Sequence, residues 1–401
     1  MAEWSIAPVL KTGLRRRNGG SNPSPTAMKV TVIIPDSMST PTGGLGVQFN
    51  NLYSRLNNHI DFCIVGYPED NPPPNYIPAE TPLPELQHGS LNTLIGHTIY
   101  LAKALEFGKP DIVHAYDWST YFAGYYVAKY FKVPLLVTMQ LSVRGLGDHN
   151  IYNCMNFNSK DGQWIHKYHT QMEEFVLKNS DQIICVSNGY QKYIPKVSLN
   201  KTKIIPNGID LKQWQTTKSL PSLPGSNEYK IAYIGRFAEM KGVSELMLAD
   251  IPSGIDLILI GSPNGGDNHV ISLIEEVKKE KNNVYYVGPY YGQDKIDILN
   301  QMDAVIMPSK HEPFGIVALE ALASKSILLS SRVDGMGDFL TNQNSILVSP
   351  GVSGVEKAFN TFLKLSFKEK NNMIQEGLKT CLNYKWDDIA QQYLKVYNSM
   401  V

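Results

Sequence analysis

The chain has 401 residues, with 37 lysines and arginines against 37 aspartates and glutamates, so it has no global electrostatic pull toward nucleic acid or an acidic membrane. That length suits two domains rather than one, and a composition 43% hydrophobic and 18% charged is that of a globular protein. Four scattered cysteines (Cys63, Cys154, Cys185, Cys381), with no C-x-x-C and no histidine cluster, argue against a disulfide scaffold or a structural zinc site and fit reduced thiols in the cytosol.

Residues 1–27 have no periodic pattern and end in Gly, Ser and Pro. They read as a disordered leader or extension outside the fold; their arginines are not arranged on an amphipathic face as a transit peptide requires. From Met28 onward strand-like and helix-like segments alternate, the sign of a parallel sheet flanked by helices. Lys29–Pro35 reads as a strand, Val47–Leu56 as a helix and Asp61–Gly66 as a second strand. The proline-rich span Pro68–Pro84 reads as a long surface loop. Helices are expected over Leu91–Phe107, Ser119–Phe131 and Trp164–Lys178, with strands over Asp111–Tyr116, Pro134–Met139, Gln182–Val186 and Thr202–Ile205. Polar, glycine-containing Ser142–Gly162 reads as a loop. No apolar run approaches the ~20 residues of a membrane-spanning helix.

The pattern breaks over 206–228, a turn-rich stretch with the character of an interdomain linker. It restarts with strands at Lys230–Gly235, Asp256–Gly261, Val284–Val287, Ala304–Met307 and Ser326–Ser330. The expectation is an α/β protein of two doubly wound domains, 28–205 and 229–383, presenting their strand-end loops to a shared cleft. The remaining segment, 384–401, holds a helix (Trp386–Val396) expected to cross back to the first domain.

Three motifs stand at strand ends. T-G-G-L-G (Thr42–Gly46) opens a helix after the first strand, where glycines let backbone approach a phosphate or a sugar. It is not G-x-G-x-x-G, so a dinucleotide site is poorly supported. In Y-I-G-R-F-A-E-M-K-G, Arg236 and Lys241 follow a strand of the second half. Cations at a helix start are unfavourable without an anion, which points to a diphosphate clamp. In P-S-K-H-E-P-F-G-I-V-A-L-E, Gly315 marks a helix start between Glu312 and Glu320. Backbone N–H groups there suit an anion, and carboxylates suit sugar or ribose hydroxyls; a capping acid and a surface glutamate are the bland alternative.

The combination G-R-x-x-x-x-K-G with E-P-F-G-I-V-A-L-E resembles the nucleotide-sugar-dependent retaining glycosyltransferases of the GT-B fold, specifically family four. G-G-L-G, H-A-Y-D-W (His114–Trp118), V-S-N-G near Ser187, P-N-G-I-D (Pro206–Asp210) and N-S-I-L-V-S-P-G (Asn344–Gly351) extend the resemblance over nearly everything from Met28 onward. The resemblance implies two Rossmann-like domains, acceptor-binding first and donor-binding second, and transfer of a hexose to a sugar, glycan or lipid acceptor. Arg236 and Lys241 would bind the donor diphosphate, and Glu312 the transferred sugar. The backbone from Phe314 through Gly315 and Ile316 to Val317 would meet sugar and phosphate, Glu320 the ribose, Tyr290 the base, and Gly43 and Gly44 would close over the phosphates. No metal or other cofactor is implied, and no nucleic-acid partner; a cytoplasmic location follows, with peripheral membrane association open.

The chain departs from the family in three places. Tyr116 stands where a cleft histidine is usual, so it is expected to hydrogen-bond the donor sugar, or else activity is altered. Ser330–Phe339 carries Asp334, Gly335 and Asp338 where the family has G-G-x-x-E. Pro41 and Val47 replace the lysine and aspartate of the starch and glycogen synthases. The rivals are an epimerase or phosphorylase of the same fold and a non-catalytic sugar-nucleotide binder. Acceptor recognition is expected in Tyr67–Ser90 and Ser142–Gly162.

Overall fold

The computed structural model describes residues 27–38, 43–79, 90–148, 160–219, 221–263 and 267–401. The leader, save Ala27, and much of the two expected acceptor loops lie outside these residues.

The first domain strings together β1 (Met28–Ile33), α1 (Gly44–Leu56), β2 (Ile60–Gly66), β3 (Tyr76–Pro78), α2 (Ser90–Glu106), β4 (Ile112–Tyr116), α3 (Trp118–Phe131), β5 (Leu135–Met139), α4 (Val143–Asp148), α5 (Lys160–Asn179), β6 (Gln182–Cys185) and β7 (Thr202–Ile204). Its seven strands form one parallel sheet in the order β3-β2-β1-β4-β5-β6-β7. Apolar β-branched runs buried on both faces make strands of this kind. Two segments differ from the reading above. Part of the proline-rich span is β3, an edge strand that tolerates Pro78 because no neighbour needs its missing N–H. Within Ser142–Gly162 lies the short helix α4, held at its start by buried Glu173: Ser142 Oγ donates to that carboxylate at 2.8 Å and the Val143 N–H at 3.1 Å.

The connecting stretch contains α6 (Leu211–Trp214), capped by the Asp210 side chain. Beyond it come β8 (Tyr229–Ile234), α7 (Val243–Leu248), β9 (Ile255–Ile260), α8 (Asn268–Glu280), β10 (Val284–Gly288), α9 (Gly292–Leu299), β11 (Ala304–Met307), α10 (Ile316–Ala323), β12 (Ile327–Ser331), β13 (Ser345–Val348), α11 (Val352–Lys364), α12 (Phe367–Cys381) and α13 (Trp386–Asn398). The second sheet is also parallel, in the order β10-β9-β8-β11-β12-β13. Its last strand, β13, lies in a stretch to which periodicity assigned no element, because four residues are too few to show one. These are the two Rossmann-like domains of the GT-B architecture.

The chain passes between domains twice, and the two crossings lie side by side. Ile209 pairs with Lys385 in an isolated parallel bridge, and the Ile209 N–H donates to the Tyr384 carbonyl at 2.7 Å. A Cβ at Gly208 would come within 2.8 Å of the same carbonyl, so this approach requires glycine. After the second crossing α13 packs into the first domain, where Trp386, Ile389, Tyr393 and Tyr397 share a core with Phe49, Leu52 and Tyr116. Fully buried His114 is bonded on both ring nitrogens, to Tyr397 Oη at 2.7 Å and Thr138 Oγ1 at 2.8 Å. Burial pushes its pKa down to about 3, so the ring is neutral. A Tyr397→Phe substitution strands one of those nitrogens and should cost about 1–3 kcal/mol, read as a lower urea midpoint with unchanged slope; an unmoved midpoint would show that the bond contributes nothing.

Candidate active site in the interdomain cleft

In the second domain, β8 and β11 are neighbours, so the loops leaving their carboxyl ends meet. Gly242, directly after Lys241, has φ +71°, and a Cβ there would sit 2.1 Å from the Pro308 carbonyl oxygen. Only glycine allows that approach. The Lys310 N–H donates to the Met240 carbonyl at 2.9 Å. The Lys310 side chain reaches back to Glu239 and, at 2.5 Å, to Glu245. Arg236 and Lys241 are thereby held beside the E-P-F-G turn. Lys241 Nζ lies 2.6 Å from Glu312 Oε2, whereas exposed Arg236 has no carboxylate partner among the described residues.

The E-P-F-G turn is fixed from behind by Asp334. Its Oδ2 accepts from the Glu312 N–H at 3.1 Å and lies 2.7 Å from His311 Nδ1; its Oδ1 lies 2.7 Å from Lys192 Nζ of the first domain. Burial pushes this carboxyl up, but the hydrogen bonds from His311, Lys192 and the Glu312 N–H outweigh it and bring the pKa to about 2. Gly315, with φ +97°, caps α10, whose first-turn N–H groups have no partner within the helix. One turn on, Glu320 is 4% exposed. Its Oε1 pairs with Lys295 at 2.5 Å, while its buried Oε2 has no hydrogen-bond partner among the described residues. Lys295, on α9, was not singled out from the sequence; nothing in sequence links it to Glu320.

The facing wall comes from the first domain. Gly43 and Gly44 lie at the start of α1, and a Cβ at Gly44 would be 3.1 Å from Ile316 Cδ1. The glycine loop therefore touches the start of α10. Asp36 braces this loop, its Oδ2 accepting from the Gly46 N–H at 2.9 Å. Asp117, at the end of β4, accepts from the Gln140 and Leu141 N–H groups at 2.7 and 2.9 Å. Burial nonetheless pushes its pKa up to about 8. Gln140 and Asn207 exchange two amide hydrogen bonds of 3.0 Å, tying the first domain to the crossing strand.

Tyr116 is not part of this wall. Strand alternation puts it on the same face as His114, under α1 and α13; it is fully buried and its hydroxyl has no hydrogen-bond partner among the described residues. The expectation that Tyr116 reaches the donor sugar is therefore corrected. The next residue, Asp117, is the one that opens on the cleft, and H-A-Y-D-W already displayed it.

A cavity of about 1170 Å³ between the domains is lined by Gly43, Gly44, Arg236, Lys241, Tyr290, Glu312, Phe314, Gly315, Ile316, Val317 and Glu320. Asp36, Asp117, Trp118, Gln140 and Lys295, which sequence reasoning had not assigned, line it too. Three cations, a helix N-terminus and several carboxylates thus converge on one space, a set able to hold an anion and a polyhydroxylated group together.

Two family models together span most of the chain: "Glycosyltransferase Family 4" matches residues 42–213 and "Glycosyl transferases group 1" matches 216–380. The chain belongs to the family-four glycosyltransferases. This glycosyltransferase is 24% identical over 302 residues to a glycogen synthase of Mycobacterium tuberculosis, spanning 72% of this chain and 69% of that protein. It is 22% identical over 406 residues to an alpha-maltose-1-phosphate synthase of Mycolicibacterium smegmatis, spanning 93% and 100%. Among solved structures it resembles sucrose-phosphate synthase from Thermosynechococcus elongatus, with TM-score 0.75, 20% identity and coverage of 93% and 98%. It also resembles Anabaena HepE in complex with UDP-glucose, with TM-score 0.73, 16% identity and coverage of 93% and 100%. At these identities the structural likeness speaks to the GT-B fold.

The depressed pKa of Asp334 carries a pH signature. A carboxyl ordinarily near 3.8 and held at about 2 in the fold adds stability in full above pH ~4, and loses it as pH falls toward 2. An Asp334→Asn variant should thus unfold earlier than wild type at pH 7, with the difference narrowing below pH ~4. A difference independent of pH in denaturant titrations would refute this assignment.

Proposed function

We propose that the cleft binds a nucleoside-diphosphate sugar and that the enzyme transfers its hexose to an acceptor with retention of anomeric configuration. The observation that carries the donor reading is Glu320: its buried Oε2, without a hydrogen-bond partner among the described residues, belongs to a side chain that lines the cavity together with Arg236, Lys241 and the start of α10. Ribose hydroxyls would satisfy the oxygen, and a diphosphate would satisfy the cations. The printed description of the HepE structure, a complex with UDP-glucose, supports the same reading. Retention rests on the family resemblance.

In this mechanism Arg236, Lys241 and the N–H groups at the start of α10 stabilise the charge that develops on the departing diphosphate. Lys241 can keep its bond to Glu312 while donating to phosphate, since an ammonium has three N–H donors. Glu312 would accept from hydroxyls of the transferred hexose. Gly43 and Gly44 cover the phosphates, and Tyr290 lies at the cavity edge where the base would sit. Closure about the paired crossings at Ile209 and Lys385 would exclude water from a hydrolysable donor. These roles need no metal. A cytoplasmic location is part of the proposal; three free cysteines, Cys63, Cys185 and Cys381, are buried. No described helix is long and apolar enough to cross a membrane. Tyr116, the departure from the usual histidine that would favour a non-catalytic binder, is fully buried and does not line the cavity.

A thermal-shift panel of nucleoside diphosphates and their sugars tests the donor site, because specific binding raises the unfolding midpoint by mass action. The matching ligand should raise it by several degrees, and no shift with any of them would remove the donor reading. Arg236→Ala and Lys241→Ala should each lower transfer about 10²-fold or more with little change in midpoint; unaltered rates in both would sink the mechanism. Glu320→Gln should weaken nucleoside-diphosphate binding about tenfold while leaving inorganic pyrophosphate binding unchanged, since only the former offers ribose hydroxyls. Equal losses for both ligands would place Glu320 on the phosphates instead.

A further inference from the structure

The two halves of the cavity differ in charge. All three lining cations, Arg236, Lys241 and Lys295, come from the second domain. The first-domain lining includes Asp36, Asp117, Ser119, Gln140, Tyr67 and Trp118, and no lysine or arginine among the described residues. The segments 39–42, 80–89 and 149–159, outside the described residues, contain neither Lys nor Arg in sequence.

Among the described residues, the histidines behind this wall do not make up the difference; the segments outside them also hold His88 and His149. His97 and His169 lie directly behind this wall, with ring centroids 5.8 Å apart and the Trp118 ring tilted against His169 at 4.8 Å. Both are buried, at 3% and 2% exposure, and both ring nitrogens of His169 lack a hydrogen-bond partner among the described residues. Burial pushes both pKa values down to about 4, so both rings are neutral at physiological pH. Asp117 adds no positive charge in either protonation state. Trp118 also packs with Leu146, Ala238 and Met240, which sets the aromatic wall next to the loop bearing Arg236 and Lys241.

We infer that the acceptor is a carbohydrate without a phosphate group, laid against Trp118 and held through its hydroxyls by Asp117 and its neighbours. The inference rests on the donor reading above. A bound phosphate calls for Arg or Lys, and the donor half of this same cavity shows that arrangement. The first-domain wall supplies instead an aromatic face and uncharged or acidic hydrogen-bonding groups, the lining suited to a neutral, polyhydroxylated ligand.

The test holds the donor fixed, using the nucleotide sugar that gives the largest thermal shift. Transfer is then measured by mass spectrometry to a mixture of neutral mono- and oligosaccharides and, separately, to the corresponding sugar phosphates. Product in the neutral set, with kcat/KM at least tenfold above that of the matching phosphates, is expected. Trp118→Ala should raise the acceptor KM at least tenfold and leave the donor KM within twofold, while Trp118→Phe should restore most of the loss. Preferred transfer to the phosphates overturns the inference, as does donor binding with transfer to neither set, or a Trp118→Ala variant that keeps the wild-type acceptor KM. Failure of every donor to bind strikes the donor reading itself, and is seen in the thermal-shift step alone.

Discussion

The approach of Gly242 to the Pro308 carbonyl sets the geometry of the donor half of the site. Two loops leaving neighbouring strands are brought into backbone contact there, and the hydrogen bond from Lys310 to the Met240 carbonyl locks them together. Lys241 and Glu312 stand 71 positions apart in sequence, yet each is delivered to the other by backbone rather than by flexible side chains. A Cβ at position 242 would force the loops apart and separate cation from carboxylate. The lysine–glycine pair is therefore one structural statement: the lysine supplies charge, and the glycine supplies the space that puts the charge in place.

A second set of contacts ties that site to the first domain from behind. Ser187 Oγ donates to the Pro313 carbonyl at 2.6 Å, and the Asn188 N–H donates to Asp338 Oδ2 at 2.6 Å. Lys192 pairs with Asp334, and Tyr190 Oη lies 3.0 Å from His311 Nε2. The segment in which this chain departs from its family's G-G-x-x-E thus has a visible use here. Asp334 fixes the E-P-F-G turn, Asp338 reaches the other domain, and Gly335 fits where a Cβ would lie 1.9 Å from the Pro313 carbonyl oxygen. With the paired crossings at Ile209 and Lys385, these bonds orient one sheet against the other.

Much of this was legible before the fold was known. Strands buried on both faces announce themselves as apolar runs, and the restart of the alternation after 206–228 marks two domains. G-G-L-G, R-x-x-x-x-K-G and E-P-F-G carry their chemistry in residue type and spacing, and their donor-side residues do converge on one cavity. Short or polar elements were harder: β13 is four residues long, and β3 is hidden among prolines. Tyr116 was misplaced for a different reason. Motif position suggested the cleft, while the strand's twofold alternation turned the ring inward beneath α13, a helix hundreds of residues away in sequence.

By itself, the sequence determined the order and type of the longer elements, and hence the two-domain parallel architecture, because backbone periodicity is a local property. It also determined which charged groups and glycines stand at strand ends. The tertiary structure decided who partners whom: Lys295 with Glu320, Asp334 with His311, Asp338 with the Asn188 backbone, Gln140 with Asn207. It also decided that the cleft is cationic on one wall and free of lysine and arginine among the described residues of the other. Such pairings depend on distances between residues remote along the chain, and those distances exist only once both sheets have formed and the crossings have brought their carboxyl ends face to face.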